Sequence, residues 1–192
     1  HNIRHINSFY KSVSSTLNAN NLIILDVGGG KSPYYAIFEA KAKEFIVLDY
    51  ESALPAYETR RIIQRIGAAE SIPLHDNSVD VVLCNQVLEH VIDPVKAVYE
   101  IKRVLRPGGH FLGSVPHISP IHLEPYDFRR FTSLGIEEVL ASAGFRNIHV
   151  EGSGGVFSAA IFLVMMDFLM SKRTKSKSQV FHSIFAFLLF PI

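Results

Sequence analysis

Little in this sequence ties it to nucleic acid, to a disulfide scaffold or to a bilayer span. Its 19 Lys and Arg stand against 18 Asp and Glu, so the formal charge is only +1. That balance gives no electrostatic footprint for a phosphate backbone, and no nucleic-acid partner is expected. A single cysteine, Cys84, excludes an internal disulfide and points to a reducing compartment, the cytoplasm. It lies in an apolar run and reads as a buried thiol. No apolar run reaches the roughly 20 residues that a spanning helix needs. The first residues show no secretory pattern and the chain shows no internal repeat. No His-Glu-x-x-His spacing is present, so no metal site is expected. Two nucleotide signatures begin and are not completed. Gly28-Gly29-Gly30 is followed by Lys31-Ser32-Pro33, which leaves Gly-x-Gly-x-x-Gly without its closing glycine. Gly30-Lys31-Ser32 imitates the end of a phosphate loop but has no glycine at the required spacing before it.

What is there centres on Ile23-Ile24-Leu25-Asp26-Val27-Gly28-Gly29-Gly30. An apolar run ends in an acid and breaks into glycines, the pattern of a buried parallel strand turning under a ligand. Glycines at 28 and 30 let the loop turn tightly and let a ligand approach the backbone, though ordinary turns use them too. Asp26 either caps amides of that turn or stays ionised beside a cationic group of a ligand. A second apolar run, 45–48, ends in Asp49, about 20 residues beyond the glycines, the separation at which an acid meets a ribose hydroxyl pair. Asp49 could equally be a solvated strand end, but beside the glycine turn the ribose reading is the stronger. An adenosine-containing cofactor is expected.

The remaining pattern alternates strands and helices. Strands are expected over 22–27, 45–49, 61–66, 79–84, 110–115 and 145–151. Helices are expected over 32–42, 94–105 and 134–143, with a weaker helical stretch over 53–59 and a short helix within 1–21 carrying Phe9, Tyr10, Val13 and Leu17 at helical spacing. Asp76-Asn77-Ser78 and Pro107-Gly108-Gly109 read as punctuation, the latter stopping a helix. Such alternation gives an α/β fold, Rossmann-like, with a mostly parallel central sheet and helices on both faces. Three stretches follow: a helical lead-in over 1–21, a cofactor-binding core over 22–151, and an apolar extension over 152–192 that completes the same domain. In the extension, 156–170 and 180–192 are apolar and Lys172, Arg173, Lys175 and Lys177 lie between them. Two readings stay open: a buried terminal helix with a last strand, or a peripheral membrane contact through 156–192 that favours anionic lipid.

Five pieces of this sequence resemble the class I S-adenosylmethionine-dependent methyltransferases, in particular the branch of the ubiquinone and menaquinone type. They are Ile24-Leu25-Asp26-Val27-Gly28-Gly29-Gly30; Val47-Leu48-Asp49; Gly67-Ala68-Ala69-Glu70-Ser71-Ile72-Pro73-Leu74 running into 76–82; Gln86-Val87-Leu88-Glu89-His90-Val91; and Leu105-Arg106-Pro107-Gly108-Gly109. The resemblance covers about 22–151. It implies S-adenosyl-L-methionine as cofactor and methyl transfer to a small-molecule or glycan- or lipid-linked acceptor. It further implies that Asp26, Gly28, Gly29 and Gly30 pass the methionine part and that Asp49 binds the ribose. Tyr50 would lie against the adenine, Ala69 and Glu70 near its edge, and Asn85 and Gln86 would line the cleft. The family often has Asp where this chain has Ala68, which removes an acceptor for the adenine amino group; Glu70, a carbonyl or water are the substitutes.

Methyl transfer from a sulfonium is an in-line displacement that asks chiefly for alignment and exclusion of water. His90 is the nearest base candidate, though a histidine there can equally serve packing or a cap. The segment 116–132, with His117, His122, Glu124, Tyr126, Asp127, Arg129 and Arg130, lies beyond the fifth strand, where open sheets bind ligands. His122 and Tyr126 are the acceptor-side candidates; the plainer reading is a loop pinned by Tyr126 and Phe131 with both arginines solvated. Two rival functions remain: a non-catalytic binding or scaffold protein on the same fold, and an NAD-linked oxidoreductase, which the incomplete glycine fingerprint disfavours.

Overall fold

β-Branched and leucine-rich strands build the centre of the molecule in the computed structural model, which describes residues 2–17, 19–53 and 61–173. Five strands, β1 (Leu22–Val27), β2 (Ala42–Asp49), β3 (Ile62–Ile66), β4 (Val79–Asn85) and β5 (Leu105–Ser114), form one sheet in the order β3-β2-β1-β4-β5. Every neighbouring pair is parallel. The order reverses direction at β1, so β1 and β4 stand side by side at a topological switch point, where the carboxyl ends of open sheets bind ligands. Five helices, α1 (Asn2–Thr16), α2 (Tyr35–Phe38), α3 (Pro94–Val104), α4 (Ser133–Ser142) and α5 (Val156–Arg173), accompany the strands. The expected α/β architecture with a parallel sheet is present.

Alternation along the strands divides the core in two. Leu25, Val27, Leu48, Val82 and Cys84 face α3 and α4, packing with Val98, Ile101 and Leu140. Ile24, Phe45, Val47, Val81 and Leu83 face the other way, packing with Tyr10 of α1 and with Tyr34 and Phe38 around α2. Cys84 is buried, and desolvation pushes its thiol pKa up, so it stays a packing group. The α3 helix starts where Asp93 Oδ1 accepts from the Lys96 amide at 2.9 Å, with Pro94 in its first turn. Such a cap contributes about 1 kcal/mol. Thr132 Oγ1 does the same for α4, accepting from the Gly135 amide at 3.0 Å.

Several element boundaries differ from the sequence expectation. The first crossover helix shrinks from 32–42 to Tyr35–Phe38, because Ser32 adopts φ 50° and its amide closes a turn on the Gly29 carbonyl at 2.6 Å. β2 then begins at Ala42, earlier than expected. The helix expected over 94–105 ends at Val104, since Leu105 is already extended and Pro107 cannot continue a helix. β5 starts there and passes through the glycines that were expected to precede it. The strand expected over 145–151 does not form. Phe145, Ile148 and Val150 do pack against the core, and Phe145 lies 5.5 Å from Phe111 between ring centres. Asn147, however, takes φ 54°, which breaks the extended run a ladder needs. Residues 51–53 form a 3-10 turn; the rest of the helical stretch expected over 53–59 and the apolar run 180–192 lie outside the described residues.

Two compact units divide the chain, one of His1–His117 with Leu123–Glu151 and one of Ile118–His122 with Gly152–Ile192. The second contains α5, on which Val156, Phe157, Ile161, Val164 and Met165 are exposed. Among the described residues no helix is long and apolar enough to cross a membrane.

Candidate functional site

The glycine turn after β1 is forced by its surroundings. Gly28 has φ 65°, and a Cβ there would stand 2.4 Å from Val87 Cγ2. At Gly29 a Cβ would stand 2.8 Å from the Asp26 carboxyl carbon and 2.9 Å from Val47 Cγ1. The turn can therefore press onto both the preceding acid and the segment after β4 only if it has no side chains. The Gly28 amide donates to the Leu48 carbonyl at 2.8 Å, tying the turn to the end of β2.

Asp49 completes that tie. Its Oδ2 accepts from the Gly30 amide at 3.0 Å and its Oδ1 from the Tyr50 amide at 2.8 Å. Each oxygen keeps a second lone pair, so the carboxylate can hold the loop and still accept from a diol. A cleft opens beside it, lined among others by Gly28, Leu48, Asp49, Tyr50, Ala69 and His90. Five residues chosen from the sequence, Gly28, Asp49, Tyr50, Ala69 and His90, thus share one cleft. Gly67, Ala68, Val87 and Val91 also line it; the sequence reading placed these in the motif segments without naming them as site residues. Apolar lining residues of this kind carry no chemical signature in a sequence.

Asp26 sits at the end of β1, only 2 % exposed, with Oδ2 unpartnered. It does not cap the Gly30 amide, which Asp49 takes. Burial, and next the charge of Asp49, push its pKa up from 3.8 to about 8, while Ser32 opposes the rise. In the folded protein this carboxyl binds its proton more tightly than in the unfolded chain. Its contribution to stability is therefore fully present below the ordinary carboxylate range and is lost as pH rises through about 8. Asp26→Asn, nearly isosteric and unable to titrate, is expected to flatten the fall in melting temperature between pH 5 and pH 8.5. Thermal melts of the two ligand-free proteins across that range measure it; equal slopes would remove Asp26 as the titrating group.

The remaining candidates occupy three further places. Glu70 turns its Oε1 to the Ile92 amide at 3.1 Å, bracing the segment after β4. Asn85 and Gln86, at the end of β4, both reach Ser114 on β5: Ser114 Oγ donates to Asn85 Oδ1 at 3.1 Å and Gln86 Nε2 donates to Ser114 Oγ at 3.2 Å. His122 belongs to the second unit, where its Nδ1 is 3.1 Å from the Pro120 carbonyl.

His90 is tightly held. Its Nδ1 lies 2.6 Å from the Tyr126 carbonyl, which can only accept, so Nδ1 carries a proton. Its Nε2 lies 3.6 Å from Oε1 of Glu89, a carboxyl with no solvent exposure. Glu89 appeared in the sequence only as part of a motif; a lone Glu in Val87-Leu88-Glu89-His90 does not announce burial. Tyr126 reaches this histidine through its backbone, while its side chain is exposed. The two arginines expected to be solvated clip the loop instead. Arg129 donates to the Val91 and Ile92 carbonyls, and Arg130 makes a two-pronged pair with Asp127 at 2.6 and 2.8 Å.

Comparison with known proteins agrees with this geometry. A family model described as a methyltransferase domain matches residues 25–113. A probable S-adenosylmethionine-dependent methyltransferase of Mycolicibacterium smegmatis is 38% identical over 146 residues, covering 71% of this chain and 56% of that protein. The chain thus spans about half the length of that relative. An S-adenosylmethionine-dependent methyltransferase from Mesorhizobium loti of known structure superposes with a TM-score of 0.59 at 21% identity, covering 73% of this chain and 82% of that one. The cyclase SpnF superposes with a TM-score of 0.56 at 23% identity, covering 70% of this chain and 55% of that one. At these identities the two structures speak for the fold alone. Taken with the sheet order, the glycine turn and Asp49 at the neighbouring strand end, the family match and the relative show a class I S-adenosylmethionine-dependent methyltransferase domain over residues 25–113.

Proposed function

We propose that this protein transfers a methyl group from S-adenosyl-L-methionine to a small-molecule or glycan- or lipid-linked acceptor, and that it stands in the ubiquinone and menaquinone branch of its family. The observation that carries this reading is the shared cleft of Gly28, Asp49, Tyr50, Ala69 and His90. The residues present fit the cofactor. At Gly30 a Cβ would meet nothing nearer than Asp49 Oδ2 at 3.9 Å, which leaves room for a ligand against the backbone there, and a buried acceptor, Asp26 Oδ2, has no partner among the described residues. Bound S-adenosylmethionine supplies a methyl group on a sulfonium.

In this reading Asp49 accepts from the ribose hydroxyls and Tyr50 and Ala69 flank the adenine. Gly28, Gly29 and Gly30 pass the methionine part, and Asp26 faces its ammonium group. An ammonium seated there returns Asp26 to its anionic form, because a nearby cation opposes the effect of burial. Glu70 remains a candidate for the adenine edge only if it gives up the Ile92 amide. Asn85 and Gln86 line the side where the methyl group leaves. His90, held through Nδ1 by the Tyr126 carbonyl and with Nε2 3.6 Å from the buried Glu89 carboxyl, is the general-base candidate. His122 and Tyr126 are the acceptor-side candidates by their place in the sequence segment 116–132. We place the protein in the cytoplasm, where a buried thiol persists, with peripheral membrane contact through 156–192, a reading supported by the exposed apolar residues of α5 and the basic cluster that follows them in sequence.

A second reading, a binding protein without methyl transfer on the same fold, is favoured by one observation: Ala68 offers no side-chain acceptor and Glu70 is engaged elsewhere. Fold alone does not choose between the two. Titration calorimetry with S-adenosylmethionine, S-adenosylhomocysteine and NAD tests the proposal. Binding of the first two and not of NAD is expected; NAD binding with rejection of both sulfur nucleosides would overturn it.

A further inference from the structure

The α1 helix lies outside the stretch that the family model matches. It nevertheless delivers one polar atom to the carboxyl end of β4, on the face opposite Val27 and Leu48. Tyr10 is completely buried, its ring packed edge-on against Tyr34 and Phe38 at 4.9 and 5.7 Å between centres. Its hydroxyl donates to Asn85 Oδ1 at 2.8 Å, with the Leu112 carbonyl a longer alternative at 3.3 Å. Ser114 Oγ donates to the same Oδ1 at 3.1 Å. Asn85 Oδ1 thus accepts from both hydroxyls. Nδ2 is then turned away as a pure donor, and it is buried with no partner among the described residues.

A buried donor without an acceptor is costly unless something brings one. Asp26 Oδ2 is the complementary orphan, an acceptor without a donor. By register Asp26 pairs with Leu83 on β4, so Asn85 lies two residues further along the same face. One end of this face therefore asks for a cation and the other for an anion or carbonyl, which is the demand of a zwitterionic amino-acid group.

Resting on the cofactor reading above, we propose that Tyr10 is a positioning residue. With Ser114 it locks Asn85 so that Nδ2 donates to the carboxylate of the cofactor's amino-acid end. The helix α1 is then part of the site rather than a lead-in to it.

The test compares two ligands that differ only at that end: S-adenosylhomocysteine, and 5′-methylthioadenosine, which keeps the nucleoside and the thioether and lacks the amino acid. Tyr10→Phe keeps the ring packing and removes one hydroxyl. It is expected to weaken S-adenosylhomocysteine about tenfold, the size of one hydrogen bond to a charged group, and to leave 5′-methylthioadenosine within about twofold. Asn85→Ala should give the same selective loss and serves if Tyr10→Phe does not fold. Equal loss of both ligands would mean a merely structural role and overturn the proposal, as would no loss of either. If the wild type binds 5′-methylthioadenosine and S-adenosylhomocysteine with equal affinity, the amino-acid end is not read and the proposal fails while the cofactor reading stands. If the wild type binds neither, the cofactor reading itself fails and this inference falls with it.

Discussion

Replacing Asp49 with Ala is expected to weaken S-adenosylhomocysteine binding by about 1–3 kcal/mol, a loss of roughly 5- to 150-fold. Two effects add. In the proposed reading the ribose loses its acceptor, and the Gly30 amide loses the carboxylate that holds it at 3.0 Å. The variant has a second signature. Asp49 is the charge that raises the pKa of Asp26, after burial. With it gone, Asp26 should titrate at a lower pH, and the pH-dependent fall in stability should move to lower pH with it. Asp49→Asn separates the terms, because an amide oxygen still accepts from the loop but carries no charge. Calorimetry on the three proteins, with thermal melts over pH, measures both effects. Equal affinity in wild type and Asp49→Ala would remove Asp49 from the ribose; an unmoved pH profile would remove it as the neighbour of Asp26.

Gly28→Ala should do comparable harm by a different route. The new methyl would meet Val87 Cγ2 at 2.4 Å, and the residue would have to hold φ 65° with a side chain attached. Overpacking of one methyl costs about 1–3 kcal/mol, and left-handed backbone for a non-glycine residue about 1–2 more. A loss of stability of about 2–5 kcal/mol is expected, with loss of cofactor binding, since the turn and the segment after β4 must move apart. The clash and the backbone term separate in a double-mutant cycle. Val87→Ala removes the obstructing methyls, so the pair Gly28→Ala with Val87→Ala should recover the overpacking part and leave the backbone part. Denaturant unfolding of the four proteins gives the coupling. Strict additivity would show that Val87 is not what the glycine makes room for.

These two positions show how much of the site was legible. Gly28 and Asp49 were readable because their physical demands leave a mark in the sequence: a break in an apolar run, and an acid at the end of the next one. The strands β1, β2 and β4 were readable for the same reason, since buried parallel strands are nearly unbroken β-branched and leucine runs. The strand expected over 145–151 had the right composition, but Asn147 turned the backbone. Only the observed φ reveals that, because Asn is compatible with either conformation. The first crossover helix was overextended because a proline in a first turn is normally tolerated, while the left-handed Ser32 just before it has no clear signal.

The side-chain partners were the least legible. Arg129 and Arg130 were solvated charges in the plainer of the two readings of their segment, yet both hold the loop, because the carbonyls of Val91 and Ile92 and the Asp127 carboxylate come within reach only in three dimensions. Tyr126 was chosen for its side chain and proves to matter to His90 through its carbonyl, an atom every residue has.

By itself, then, the sequence determined the parallel α/β architecture, the glycine turn, the acid beside it and, through its single cysteine, the lack of an internal disulfide. Each of these follows from local composition and periodicity. The tertiary structure alone decided that Tyr10 meets Asn85 across 75 residues, that Asp26 is buried without a partner for Oδ2, and that Glu70 braces Ile92. The physical reason is that hydrogen bonding and desolvation depend on which groups the fold brings together. A tyrosine at helical spacing looks the same whether its hydroxyl meets water or a side-chain amide 75 residues away.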